Sequence, residues 1–164
     1  LYTIGDTVCS GKPLRFAPIT AFQPEQFAFL HNQKIDRAKQ FNKGVAQLVE
    51  EAVIQVLYPT SSVRRAPILA AVGALQFEVV VARLAAEYQV ETRIEPLTHT
   101  CARWITGSEA DLQAVNWPTQ SVRTQDQQGR LVVLFSSAWE LNYFMERNGR
   151  LQFRVAGDLH ELPA

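Results

Sequence analysis

The chain has 164 residues with 16 basic and 16 acidic side chains, so its formal charge is zero and no global field draws it to nucleic acid or an anionic membrane. Apolar residues make up 47% and charged residues 20%, the usage of a globular protein able to bury one sizeable core or two small ones. Cys9 and Cys101 are too few for a disulfide framework and lack the paired spacing of a zinc site, and no apolar run reaches the roughly 20 residues that span a bilayer, so no metal is expected and a cytoplasmic protein that uses no membrane is.

The first residue, Leu1, stands inside LYTIGDTV, a strand-and-turn pattern that reads as part of a longer chain. Residues 2–4 and 14–16 are β-like pieces separated by GDT and SGKP turn signals, too little for a sheet of their own. They are therefore expected to be either a strand pair packed on the rest or the tail of a β-barrel, followed by a linker bracketed by Pro18 and Pro24.

From Gln26 the pattern becomes regular. FAFLH (27–31) reads as a strand, and Ile35, Ala38, Phe41, Val45, Leu48, Val49 and Ala52 recur at the spacing of one helical face. VIQVLYP (53–59) and APILAAVG (66–73) read as strands joined by a loop with Arg64 and Arg65. The run VGALQFEVVVARL (72–84) is ambiguous, because its three valines favour a strand. Helical spacing resolves it: Phe77, Val80, Val81, Leu84, Ala85 and Tyr88 form one stripe, and Gly73 with Gln76 makes a capping-box arrangement lacking the hydroxyl. Burying a large apolar side chain is worth about 1.5–3 kcal/mol, against a few tenths for valine's weaker helix propensity. Val79 falls outside the stripe.

VETRIEP (90–96) alternates, with Val90, Thr92 and Ile94 on one face and Glu91, Arg93 and Glu95 on the other. Residues 24–97 thus predict an α+β fold, a ferredoxin-like split βαββαβ unit with two helices on one face of a four-stranded antiparallel sheet and charged residues on the other. Residues 98–156 predict a βαβαβ extension: strand 101–106, a helix over 108–115 opened by Ser108 and Asp111, strand 131–135, a helix over 136–148 closed by Gly149, and strand 151–155. The polar segment 119–130 reads as a flexible connection, and the tail from Gly157 as a fraying end.

Catalytic chemistry is sought and not found. A P-loop needs glycines, a lysine and then a hydroxyl residue, whereas Ser10-Gly11-Lys12-Pro13 has proline at the last position and too few glycines. His31, His99 and His160 lie far apart, Ser136 and Ser137 lack a nucleophile-elbow context, and His99 with Cys101 has no second ligand pair. Trp104 and Trp139 sit in apolar strand and helix patterns and read as core. One local rule is broken: the first helix carries Lys34, Arg37, Lys39 and Lys43 early and Glu50 and Glu51 late, against its macrodipole. A solvated face accounts for this, and so does a basic strip that docks on phosphate or an acidic partner, to which Arg64 and Arg65 add.

VGALQFEVVVARL also matches the pattern V-G-x-L-Q-F-[DE]-V-V-x-x-R-L, and GDTVCSGKPLRF, PEQF (24–27), RAKQFNKGVAQLVEEA (37–52) and ARW (102–104) follow in the same order. On these residues the chain resembles the C-terminal region of the bacterial peptide chain release factor three family, translational GTPases of termination; the likeness is strong over 5–104 and thinner beyond. The resemblance implies a parent with a GTPase domain, a β-barrel domain and a C-terminal α/β domain. Such a parent binds GTP or GDP with Mg2+, meets ribosomal RNA and small-subunit protein on the ribosome, and promotes departure of the codon-reading release factor, its indirect partner. Residues 1–22 would be the end of the barrel and 23–164 the third domain, acting by contact rather than catalysis, with no cofactor of its own. Arg37, Lys39, Lys43, Arg64 and Arg65 are the expected ribosome or nucleic-acid contacts. The chain departs from the family in having Ala52 where glycine usually follows the Glu-Glu pair, an insertion near Asn32-Gln33, and a divergent segment 107–130. A stand-alone ferredoxin-like RNA- or ligand-binding module using an open sheet face, or the equivalent domain of an elongation-type GTPase, are the other readings.

Overall fold

The computed structural model describes residues 7–14, 16, 22–61 and 66–161, with side chains through 158. The expected strand at 2–4, the linker residue Pro18 and the loop arginines Arg64 and Arg65 lie outside the described residues, and the described residues of 7–16 form no strand.

The first half follows the sequence pattern closely. It comprises β1 (Gln26–Asn32), α1 (Ala38–Glu50) entered through a 3-10 turn at Ile35–Arg37, β2 (Gln55–Pro59), β3 (Ile68–Ala71), α2 (Leu75–Tyr88) and β4 (Thr92–Pro96). The strands pair antiparallel in the order β4-β1-β3-β2. The helices bury Phe41, Val45, Leu48, Phe77, Val80 and Leu84 against Ala28, Leu30, Val56, Leu69 and Ala71 on one face of that sheet. The ambiguous run is a helix, as its periodicity predicts. Ala74 rather than Gly73 is its N-cap, but Gln76 does reach back, accepting from the Val72 amide at 2.8 Å and donating to the Val53 carbonyl at 3.1 Å. Ala85, expected in the stripe, is exposed. α1 and α2 cross closely at Gly44, where a Cβ would stand 2.6 Å from Leu84 Cδ2.

The second half holds one strand more than expected: β5 (Cys101–Thr106), α3 (Glu109–Ala114), β6 (Val122–Gln125), β7 (Leu131–Phe135), α4 (Ala138–Arg147) and β8 (Gln152–Arg154). The polar segment 119–130 is not a loose connection, because β6 lies within it. The extension is therefore a second βαββαβ unit, and its strand order β8-β5-β7-β6 repeats that of the first. β2 and β6, the second strand of each unit, pair with each other through Tyr58–Gln125 and Pro59–Thr124, joining all eight strands into one antiparallel sheet. Pro59 lacks an amide hydrogen and suits the end of so short a pairing. β6 is held on its other side by the turn into β7, where the Asp126 carboxylate accepts from the Gln128 and Arg130 amides, from Arg130 Nε at 2.7 Å and from Trp104 Nε1 at 2.9 Å.

The larger difference concerns the face of the first sheet expected to carry charge. Phe27, Phe29, Leu57, Ile68 and Ala70 occupy it and pack against Ala102, Trp104, Val132, Leu134 and Ala156 of the second unit. The sheet doubles over at β2 and β6, its two inner faces meet, and helices cover both outer faces, with α4 and the 148–151 turn burying Leu141, Phe144 and Leu151 on Ile105, Val133 and Phe135. In the first unit the charge on the inner side stands on edge strand β4, where Glu95 accepts from His31 Nε2 at 2.8 Å. The linker is tied across both units: Gln23 donates to the Ala102 carbonyl and accepts from the Ala156 amide, and Gln55 donates to the Phe22 carbonyl. Ala156–Glu161 forms a 3-10 helix where a fraying tail is expected, and α4 ends at Asn148, not Gly149, with Asn148 Nδ2 donating to the Phe144 carbonyl.

Ala52 resolves the missing glycine. It adopts the left-handed conformation itself, φ 53°, and the Val53 and Ala52 amides bond back to the Leu48 and Val49 carbonyls, the two hydrogen bonds of a Schellman ending. A Cβ in that conformation costs about 1–2 kcal/mol, part of which glycine would return through its freer unfolded chain. Ala52→Gly is accordingly expected to stabilise the chain by about 0.5–1 kcal/mol in urea titration; unchanged or lower stability would count against the assigned backbone. Asp126→Ala is expected to cost about 2 kcal/mol or more and to alter Trp104 fluorescence, since it opens the turn and leaves the indole N–H unpaired.

Candidate nucleic-acid interface

The expected basic residues distribute as follows. Lys39 and Lys43 stand one turn apart on the exposed face of α1, and Arg37 is half-buried in the turn that precedes it. Among the described residues none of these three side chains is in an ion pair, whereas Lys34 is bound to Glu91 at 2.8 Å. The β1–β3 register, with Phe29 opposite Ile68, brings the end of β1 beside the start of β3, which follows the connection leaving Pro59, and the Leu30 amide bonds the Pro67 carbonyl there. That connection carries Arg64 and Arg65, which lie outside the described residues.

The macrodipole violation is half explained. Glu51, at the unfavourable end of α1, accepts from Gln47 Nε2 at 3.0 Å and from Arg83 of α2, which also binds Glu87 through Nε at 2.6 Å and Nη2 at 2.9 Å. Arg83 clips the two helices together, and its hydrogen bonds hold the carboxyls of Glu51 and Glu87 below the usual range. The acidic end of α1 therefore has a packing reason, which Lys39 and Lys43 lack.

Other candidates separate clearly. His99 is buried and donates through Nε2 to the Gln120 carbonyl at 2.7 Å, tethering the segment before β6. Among the described residues no group of three His, Cys, Asp or Glu could hold a metal. Ser10, Gly11 and Lys12 are an exposed bend, which with Pro13 offers no phosphate cradle. These residues do not fit a guanine nucleotide or its Mg2+. Trp104 is buried, but Trp139, expected in the core, is 74% exposed. Helical spacing explains the error: Leu141 and Phe144 take the inward face of α4 and leave Trp139 and Tyr143 outside. Val79 likewise lies outside, beside exposed Val72 and Leu75, on a side of α2 that no described residue covers. The inner sheet face cannot bind RNA, because the second unit occupies it. No helix among the described residues is long and apolar enough to cross a membrane.

Two ferredoxin-like units in tandem, with helices on both outer layers, define an α+β domain. Residues 16–145 match the family described as class II release factor RF3, C-terminal domain. The chain is 51% identical over 159 residues to peptide chain release factor 3 of Gloeobacter violaceus, covering 96% of this chain and 30% of that protein. It is 46% identical to that of Rippkaea orientalis, over 87% of this chain and 26% of that protein, and 44% identical to that of Microcystis aeruginosa, over 93% and 28%. The chain belongs to the release factor RF3 C-terminal domain family, and it spans less than a third of the length of these relatives.

The Arg83 clip carries a pH dependence of known sign. Folded-state carboxyl pKa values below the unfolded ones mean stability that is present above the unfolded pKa, near 4.5, and lost as pH falls through the folded values. Melting followed from pH 7 to pH 3 should show Arg83→Ala reducing the stability difference between neutral and acid solution; an identical acid limb in both proteins would remove the clip as its source.

Proposed function

We propose that this chain is the C-terminal domain of a ribosome-bound translational GTPase that promotes departure of codon-reading release factors after termination, and that it acts by contact and orientation rather than catalysis. The family match over residues 16–145 carries this reading. GTP or GDP with Mg2+ would be held elsewhere in such a parent, in the cytoplasm, and residues 1–22 would be the end of its barrel domain, leaving 23–164 as the third domain. The exposed pair Lys39 and Lys43, with Arg37 and the loop arginines Arg64 and Arg65, would meet ribosomal RNA or an acidic face of a small-subunit protein. Exposed cations without a carboxylate partner, as Lys39 and Lys43 are among the described residues, suit phosphate, which they bind without base readout and with a steep dependence on salt.

The test uses a full-length member carrying this domain. Charge reversal at Arg64 and Arg65, and separately Lys39→Glu with Lys43→Glu, should lower ribosome-stimulated GTP turnover several-fold at physiological salt while leaving basal turnover and melting unchanged. Ribosome-stimulated turnover equal to the parent's in both variants would remove the assigned contact surface. Loss of basal turnover as well would place the fault in folding instead.

A further inference from the structure

Trp139 and Tyr143, one turn apart on α4, stack with ring centroids 5.6 Å apart and planes 8° from parallel. Both are in solvent, Tyr143 47% exposed and Trp139 more so. One turn further, Arg147 lies over the Tyr143 ring at 5.4 Å and donates to its hydroxyl at 2.6 Å. Facing α4 is the connection from α3 to β6, where Trp117 stacks on Phe144 at 5.4 Å and carries the Arg123 guanidinium over its ring at 5.8 Å. Between them opens a cleft of about 600 Å³, to which Asn116 and Thr119 contribute polar side chains.

Packing does not account for this arrangement. An aromatic pair at i, i+4 steadies a helix by only about 0.2–0.5 kcal/mol, and two large rings left in water forgo far more than that in burial. The inward side of α4 is filled by Leu141 and Phe144 without them. The charge is also one-sided. Among the described residues neither Arg123 nor Arg147 is in an ion pair, and the one carboxylate in the lining, Glu140, is turned away to accept from the Ser136 amide at 2.7 Å and its hydroxyl at 2.8 Å. Flat aromatic faces bind flat ligands by stacking, and guanidinium groups bind anions. A neutral proline-rich strand would use the rings but have no need of the arginines.

We propose that this cleft binds an unpaired nucleotide of single-stranded RNA, its base stacked on Trp139 and its phosphate on Arg147, with Asn116 and Thr119 in the lining available to the base edge. The site is independent of the Lys39 and Lys43 surface. α1 covers the outer face of the first unit and α4 that of the second, so the two lie on opposite layers of the molecule.

The test is direct titration of this chain, without ribosomes, against a fluorescein-labelled eight-nucleotide single-stranded RNA, read by anisotropy and tryptophan quenching. Saturable binding is expected. Trp139→Ala should weaken it roughly five- to a hundred-fold, the range for losing one stacked base. Trp139→Phe should keep most of the affinity, and Arg147→Gln should flatten the dependence of log Kd on log salt by about 0.7, one phosphate contact on a single strand. Because Trp139 is exposed, these variants should melt like the parent. No saturable binding at low salt, equal binding by Trp139→Ala, equal affinity for an eight-base-pair RNA duplex, or full displacement of the RNA by a proline decapeptide would each overturn the proposal. Failure of the ribosome experiments with an intact result here would leave this site standing, and the reverse would remove it alone.

Discussion

Everything else in the molecule follows from the contact of two apolar sheet faces, Phe27, Phe29, Leu57, Ile68 and Ala70 on one side and Ala102, Trp104, Val132, Leu134 and Ala156 on the other. A ferredoxin-like sheet with helices on one face must hide or solvate the other. Here each unit hides the other's, at a gain of about 1.5–3 kcal/mol for each large side chain removed from water. With both faces of both sheets covered, only helical surfaces, edges and connections are left to meet a partner. A mechanism based on stacking bases over an open sheet is closed to this protein, and the recognition surfaces proposed above lie on α1 and α4 instead.

The join between the units is slight in hydrogen bonds and large in packing. β2 and β6 pair over two residue couples, with the Thr60 amide and hydroxyl adding bonds to the Arg123 carbonyl at 3.0 and 3.2 Å. These fix register and direction, so the second strands of two similar units run antiparallel and the units face each other. Gln23 and His99 then hold irregular segments to the assembled sheet by their side chains, satisfying backbone groups that no strand reaches. The orienting role proposed for the domain depends on this kind of construction, in which two outer layers keep their spacing through a common apolar interior.

Much of the first unit was legible because its signals are local. The helical spacing of Phe77, Val80 and Leu84 outweighs the β preference of three valines, and the alternation of residues 90–96 marks an edge strand whose side away from the helices is charged. The departure of α1 from macrodipole preference was legible too, and once Arg83 accounts for Glu51 only its early cations, Lys39 and Lys43 among them, are left without a packing reason. β6 was not legible: VRTQ is short and polar, and it is a strand because β2 on one side and β7 on the other supply its hydrogen bonds. Trp139 was misread because a large aromatic in an apolar helix pattern is usually buried, and the pattern does not say which of two apolar sides faces inward. One signal was available and pointed the right way: four consecutive apolar residues, FAFL, describe a strand buried on both faces rather than one.

By itself, then, the sequence determined the elements of the first unit, the family, and the poor match of residues 10–13 to a phosphate-binding loop, since each depends on residues adjacent in the chain or at a fixed helical or strand period. Tertiary structure alone decided that a second ferredoxin-like unit exists, that it covers the first unit's remaining face, and that Trp139 faces a cleft instead of the core. Those outcomes turn on pairings between segments tens of residues apart, where the side chain that fills a face or completes a hydrogen bond comes from a part of the chain that local periodicity does not describe.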